Sequence, residues 1–462
     1  MAFIRSFLGN EDGAVTVDWV VLTAATVGLG IGALGIASVG LSDLTGDISN
    51  QIATKSILGR FSGAISTISE PVTAPATTSQ STGASTPSST TSSAPVYSEN
   101  VTTVSGGVDV VSGSPGIDRL VVDYSAGVGT TIGTSLTGFA GAGVGTVNIN
   151  GEGFEHFTIL AGSGVNTLTV AGGDDIIIAD GPGANTITGL SGDKKIVTGD
   201  GVDTITLTSG DNTIIAGDGA NTITATSGQN TIFAGNGVDT ITVTDGGNYI
   251  DGKNGANTFT SGAGNDTIVS GVDVDTITTG GGDDLILILG GADVIVAGIG
   301  SDTLIVDHSA ATAAVTNTVP AGTFAAGYAG SFAGLGAATY TGIEAFDITS
   351  GTGNDSITTG GGNDIINSGT GSDTVYAGAG IDYIYGNAGD VIDGGTGVDT
   401  LNLGLELTSE NHTIVKDPSN AQNGTVTFLD TGEVLTYTNI ENVVYELALS
   451  PTVTILVPDP EL

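Results

Sequence analysis

No cysteine occurs in this 462-residue chain, which excludes a disulfide framework and any thiolate metal site. Oxygen ligation, the kind that hard cations use, stays open. Basic residues are nearly absent: eight Lys plus Arg stand against 49 Asp plus Glu, a formal charge of −41. A field of that sign repels nucleic acid and anionic membranes and attracts cations, so a multivalent cation is the expected partner and nucleic acid is not. Catalytic signatures are missing as well. His156, His308 and His412 are far apart in the chain, and no HExxH, GxSxG or phosphate-binding loop is present. An enzyme is therefore not the expected reading.

What is present is glycine, 77 residues of it, and a 39% hydrophobic content whose apolar positions recur regularly. That regularity argues against disorder throughout, despite the acidity. Residues 19–42 are uncharged and mostly Val, Leu, Ile, Ala and Gly, long enough to cross a hydrocarbon core of ~30 Å as a helix. A short polar leader, residues 1–13 with Arg5, precedes AVTVDW, and the apolar period continues through Leu41, Leu44, Ile48 and Ile52. This start resembles an Flp-type pilin, in which a peptidase cuts after glycine and the fifth mature residue is an acid followed by an aromatic. The resemblance implies cleavage after Gly13, with Ala14 first, Asp18 fifth and Trp19 next, where the family has a Glu-Tyr pair. It also implies other pilin-like subunits as partners through residues 14–61, with the acid meeting a neighbouring N-terminal amine. Residues 62–100 form a Ser/Thr/Ala tract with Pro71, Pro75, Pro87 and Pro95, too poor in large apolar groups to pack, and read as an extended linker.

From residue 193 the chain can be laid out in nines: TGDGVDTIT, LTSGDNTII, AGDGANTIT, ATSGQNTIF, AGNGVDTIT, in phase as far as AGIGSDTLI. The sixth position falls every nine residues from 194 to 302, and two residues beyond it lies a large apolar side chain every time, from Ile196 to Leu304. A short strand with one inward apolar group, followed by a Gly-rich turn, buries nothing alone, whereas stacked copies make a continuous core. The expected fold is therefore mainly β, with parallel β-roll or β-solenoid modules preceded by one N-terminal α-helix and a disordered linker.

The turns SGAGNDTIV, TGGGDDLIL, SGTGNDSIT, TGGGNDIIN, SGTGSDTVY and GGTGVDTLN resemble the RTX, or haemolysin-type, nonapeptide repeat. That resemblance implies several bound Ca2+ ions, each shared by turns one coil, or eighteen residues, apart. Glycines let the turn aim carbonyls inward and the terminal Asp supplies charge. The pairs it implies are Asp266 with Asp284, Asp275 with Asp293, Asp284 with Asp302, Asp355 with Asp373, and Asp364 with Asp382. Asp390 and Asp399 extend the set. Between residues 185 and 257 position six is mostly Asn, with Lys at 194, which leaves only Asp203 and Asp239 as candidates there. Without carboxylates a divalent ion is poorly compensated, so these turns are expected to form amide ladders instead.

Three modules share one plan: an Asp turn at 118, 302 or 399 leads into LVVDYS, LIVDHS or LNLGLE, then a variable stretch, then the acidic strand GFEHFTI, GIEAFDI or NIENVVY. The expected units are a first β module at 101–160, a main roll with insertion and cap at 161–349, a second roll and cap at 350–446, and a tail at 447–462. The variable stretches are expected to cover roll ends. Functionally the sequence suggests an extracellular structural or adhesive protein at the bacterial surface, first anchored in the inner membrane by its helix. Its surface ligand is unspecified and its roll would fold when it meets calcium. A second reading comes from Thr pairs such as Thr204/Thr206, Thr222/Thr224, Thr240/Thr242, Thr258/Thr260 and Thr276/Thr278. They resemble the TxT arrays of solenoidal antifreeze proteins and imply binding to ice or another flat surface.

Overall fold

The computed structural model describes residues 155–445, apart from 318–320, 335 and 405–410, together with short stretches between residues 98 and 149. The expected leader, pilin-like helix, most of the linker and almost all of the tail lie outside the described residues. The linker boundary expected at residue 100 falls inside the first strand, Ser98–Thr103. Among the described residues no helix is long and apolar enough to cross a membrane.

The chain winds as a parallel β-solenoid. One face is a continuous sheet of sixteen strands, from Ser98–Thr103 to Asn442–Val444. The other face runs through Asn166–Val170, Asn185–Gly189 and Thr204–Leu207 to Val294–Ile299 and onward. Successive nonapeptides alternate between faces, so partners in register lie two repeats apart, as in Thr204 with Thr222 and Ile214 with Ile232. The alternation of burial follows from strand geometry. In Thr204–Leu207, Ile205 and Leu207 face inward and the two threonines face out.

The row predicted from Ile196 to Leu304 forms the spine of the core, every member at most 1% exposed. Each such side chain contributes roughly 1.5–3 kcal/mol by burial. Close stacking depends on glycine at the turns: Gly255 has φ +123°, and a Cβ there would stand 1.6 Å from the Gly237 carbonyl oxygen one coil earlier. Only glycine fits that approach.

Two of the three variable stretches flank the second face, but on the first face Asp118–Asp123 pairs with both Ser98–Thr103 and His156–Leu160, so the first stretch does not end the stack. Thr130–Ser135 and Gly138–Ala142 form an antiparallel hairpin beside Asn166–Val170. His412–Asp417, Asn420–Phe428 and Val434–Thr438 form an antiparallel flank against Val391–Asp393. The middle stretch also differs from expectation, because it sits between coils. On the first face Thr303–Asp307 pairs directly with Ala345–Thr349, and Asp347–Thr349 with Ile365–Asn367. The sheet thus crosses residues 349/350 without interruption. On the second face Thr339–Ile343 pairs with Val294–Ile299, and Gly327–Ala333 and Thr316–Asn317 intervene before Ser356–Thr358. The extra width is filled by Phe332, Tyr340 and Phe346, whose rings lie 5.3–6.2 Å apart. Burying those rings explains why the excursion is part of the stack.

Candidate metal centre

Position six opens each strand directly after the glycine turn, where the backbone aims its side chain into the coil. All thirteen predicted aspartates are buried to within 2%: Asp203, Asp239, Asp266, Asp275, Asp284, Asp293, Asp302, Asp355, Asp364, Asp373, Asp382, Asp390 and Asp399. Along each edge one carboxylate oxygen is engaged in the same way. Oδ1 accepts the backbone N–H of the position-six residue one coil earlier: Asp284 from Asp266 (2.8 Å), Asp293 from Asp275 (2.8 Å) and Asp302 from Asp284 (2.9 Å). Asp373 accepts from Asp355 (2.8 Å), Asp382 from Asp364 (2.9 Å), and Asp399 from Asp382 (3.0 Å). The five predicted pairs are therefore neighbours in space.

The second oxygen sets these residues apart. In eleven of the thirteen, all except Asp355 and Asp390, Oδ2 is buried without a hydrogen-bond partner. Hydroxyls of Thr198, Ser261, Thr279 and Thr359 are close by, but each donates to a carbonyl one coil on, at 2.6–3.0 Å; the Ser270 and Ser368 hydroxyls, beside Asp275 and Asp373, have no other partner and are free to donate to them. Asp355 and Asp390 depart from this pattern. Ser350 donates to Asp355 Oδ2, and the Asn387 N–H donates to Asp390 Oδ2 at 2.6 Å. These two fit a metal less well than their neighbours.

Burial dominates the electrostatics. It pushes the carboxyls of Asp239, Asp284 and Asp293 up to about 6, and those of Asp275, Asp302, Asp382 and Asp390 up to about 7. Asp364 reaches about 8, and Asp203, Asp266, Asp373 and Asp399 are also raised, again first by burial. Neighbouring carboxylates add to the effect, Asp293 on Asp275, and Asp284 and Glu344 on Asp302. A buried acceptor with no donor is costly unless a proton or a cation reaches it.

The asparagine turns show what the aspartates lack. Asn212 Nδ2 donates to the Gly210 carbonyl (2.7 Å), Asn230 to Gly228 (3.1 Å) and Asn248 to Gly246 (2.8 Å). The same amides donate along the edge: Asn212 to Asn230 Oδ1 (2.8 Å), Asn230 to Asn248 Oδ1 (2.9 Å) and Asn248 to Asp266 Oδ1 (2.8 Å). The expected amide ladder is present. Aspartate has no such donor to offer its turn carbonyl, and its own buried Oδ2 is left needing positive charge. That oxygen set suits a hard cation. Among the described residues no group of three or more His, Cys, Asp or Glu converges on one point, so an ion between these turns would take much of its shell from carbonyls. Asp203 and Asp239 lie on an edge with Asn185, Asn221 and Asn257 between and around them, so neither has a position-six carboxylate one coil away.

Three participants escaped the sequence reading. Glu344 and Glu441 close two ladders, accepting the N–H of Asp302 (2.8 Å) and Asp399 (2.6 Å). The repeated acidic strand, GIE and NIE, was their signal. Asp175 belongs to the same row, pairing with Lys194 in register, but its coil is nineteen residues long and out of phase with the nines. The GGDD that ends in it would have marked it. A second, exposed ladder of opposite polarity accompanies the buried one: Asp193 Oδ1 accepts from Asp211 N–H (2.8 Å), and Asp211 Oδ1 from Gln229 N–H (2.8 Å).

The family model of the RTX calcium-binding nonapeptide repeat matches residues 180–214, 206–241, 215–250, 242–277, 271–304, 347–375 and 368–401. Both Asp-rich stretches lie within these matches. No curated protein matches the chain. The described region is thus a parallel β-solenoid carrying RTX nonapeptide repeats, and Ca2+ is the cation such repeats bind.

Proposed function

We propose that this chain is an extracellular structural or adhesive protein, displayed at the bacterial surface, whose Asp-lined coils fold when they meet calcium, and that it is not an enzyme. The observation that carries the reading is the row of buried position-six carboxylates whose Oδ2 has no partner. Such oxygens neighbour one another along an edge and cannot all ionise without an ion between them. Calcium when bound supplies the missing positive charge. The Asp side chains hold one oxygen in the backbone ladder and present the other, and the glycine turns bring carbonyls close by. With one carboxylate per turn, affinities of roughly 10⁻⁴ to 10⁻³ M are expected, the range of extracellular modules. The test is a calcium titration of the full chain followed by circular dichroism. A gain of β signal with a midpoint in that range is expected. No transition, or a midpoint below about 10⁻⁶ M, within reach of the cytosol, would overturn the extracellular reading.

A second reading has one observation in its favour. On the second face the pairs Thr167/Thr169, Thr186/Thr188, Thr204/Thr206, Thr222/Thr224, Thr240/Thr242, Thr258/Thr260 and Thr276/Thr278 stand in register, coil upon coil. Two columns of outward hydroxyls spaced ~4.8 Å between rungs make a flat, regular surface of the kind that could order ice. Threonine is also simply a good exposed strand residue. Freezing-point hysteresis in calcium, abolished by T222K and T240K, is the result this reading requires; a chain without hysteresis disposes of it.

A further inference from the structure

Position six of one turn holds a lysine, and its side chain is fully buried. Lys194 Nζ lies 3.2 Å from Asp175 Oδ2, which is also buried. It donates to the carbonyls of Ser191 (2.5 Å), Gly192 (3.2 Å) and Gly173. One carboxylate and three turn carbonyls, drawn from two turns one coil apart, converge on a single cationic atom. The main chain is unremarkable for this row: Lys194 N–H donates to Asn212 Oδ1 (3.0 Å), and Asp175 Oδ1 accepts from Phe157 N–H (2.8 Å). Only the side chain is different. Room for its stem comes from Gly189, where a Cβ would stand 3.3 Å from Lys194 Cε.

Position six therefore has three ways of satisfying the oxygens of its turn. Asparagine donates its own amide hydrogens, aspartate leaves the task to an ion, and Lys194 delivers a positive charge on a covalent arm. Glutamine or methionine there would remove from buried Asp175 its strongest positive partner. An ordinary surface lysine would be solvated, whereas this one has traded water for an all-oxygen shell like that of a hard cation.

We propose that the Lys194 ammonium is a tethered substitute for calcium, permanently filling the between-turn site at Asp175, so that the coil spanning residues 173–198 is folded whether or not calcium is present. The inference rests on the calcium reading of the aspartate turns. Beside the amide ladder of residues 212–248, it gives the solenoid a calcium-independent segment on which the Asp-lined coils stack once the ion arrives.

Hydrogen exchange of the full chain, in metal-stripped buffer and in millimolar calcium, tests this for the unsubstituted protein and for K194D and K194M. In the unsubstituted chain, protection across residues 173–198 should differ by less than about twofold between the two conditions while residues 266–302 respond strongly. K194D should lose at least about tenfold protection across residues 173–198 without metal and regain it in calcium, because it supplies the second carboxylate of a calcium site. K194M should lose protection in both conditions. A purely structural ion pair predicts no rescue of K194D by calcium, and that outcome overturns the proposal. So does a calcium response of residues 173–198 in the unsubstituted chain as large as that of residues 266–302. If residues 266–302 themselves ignore calcium, it is the calcium reading that fails, a result distinct from either.

Discussion

In metal-stripped buffer at neutral pH, residues 266–302 and 355–399 are expected to exchange their amide hydrogens about a hundredfold or more faster than in millimolar calcium, while residues 203–257 change far less. Hydrophobic burial cannot produce that contrast, because the inward row is equally buried in both halves: Ile205 to Phe259 in one, Ile268 to Leu304 in the other. The difference lies at position six. In the first half Asn212, Asn230 and Asn248 donate to their own turn carbonyls and to the next side chain. In the second half Asp266, Asp284, Asp302 and Glu344 follow one another along one edge with no such donor, and Asp275 precedes Asp293 on the other. Ionised and unpaired, these groups repel across one coil; with calcium between them they attract. Asp203 and Asp239, isolated among asparagines, add little repulsion. Equal protection of both halves in both buffers would mean that backbone carbonyls alone suffice and that the residue at position six does not matter.

The spine of the fold was legible because a solenoid reduces a tertiary core to a local period: the apolar residue two beyond position six is buried wherever the nines run in phase. The site was legible for the same reason, since residues eighteen apart become neighbours. A change of period hid Asp175 altogether and, for Asp390 and Asp399, which the repeat did name, hid only their partners. Asp175 sits one coil before Lys194 at a nineteen-residue step, and Asp373 meets Asp390, and Asp382 meets Asp399, at seventeen. The excursion before residue 345 was misplaced because the pairing of Val294–Ile299 with Thr339–Ile343 spans more than forty residues and leaves no mark on local pattern. Lys194 stood out in the sequence as a breach of the repeat. Its partners became visible only when Gly173 and Asp175 came alongside.

Without calcium, the Asp-lined coils are expected to be more resistant to urea at pH 5 and markedly weaker at pH 8, the reverse of the usual behaviour of carboxylates held by salt bridges. The sign follows from the direction of the shifts. Burial raises Asp275, Asp302 and Asp382 to about 7 and Asp364 to about 8. In the unfolded chain an aspartyl group titrates near ~3.9. The folded state therefore binds more protons over that interval, and stability falls as pH rises through it. A displacement of one unit corresponds to about 1.4 kcal/mol for a single group, and several groups act together along each edge. Calcium competes for the same oxygens, so its stabilising effect should be small at pH 5, large at pH 8, and accompanied by proton release. The measurement is a set of urea transitions between pH 5 and 8, in metal-free buffer and in millimolar calcium, repeated at high salt. Salt should leave the trend largely intact, because it screens the long-range repulsion of the acidic surface more than contacts between buried neighbours. A metal-free solenoid that gains stability from pH 5 to 8 would show that these carboxylates are already ionised and compensated within the fold, and calcium would lose its role as the missing charge.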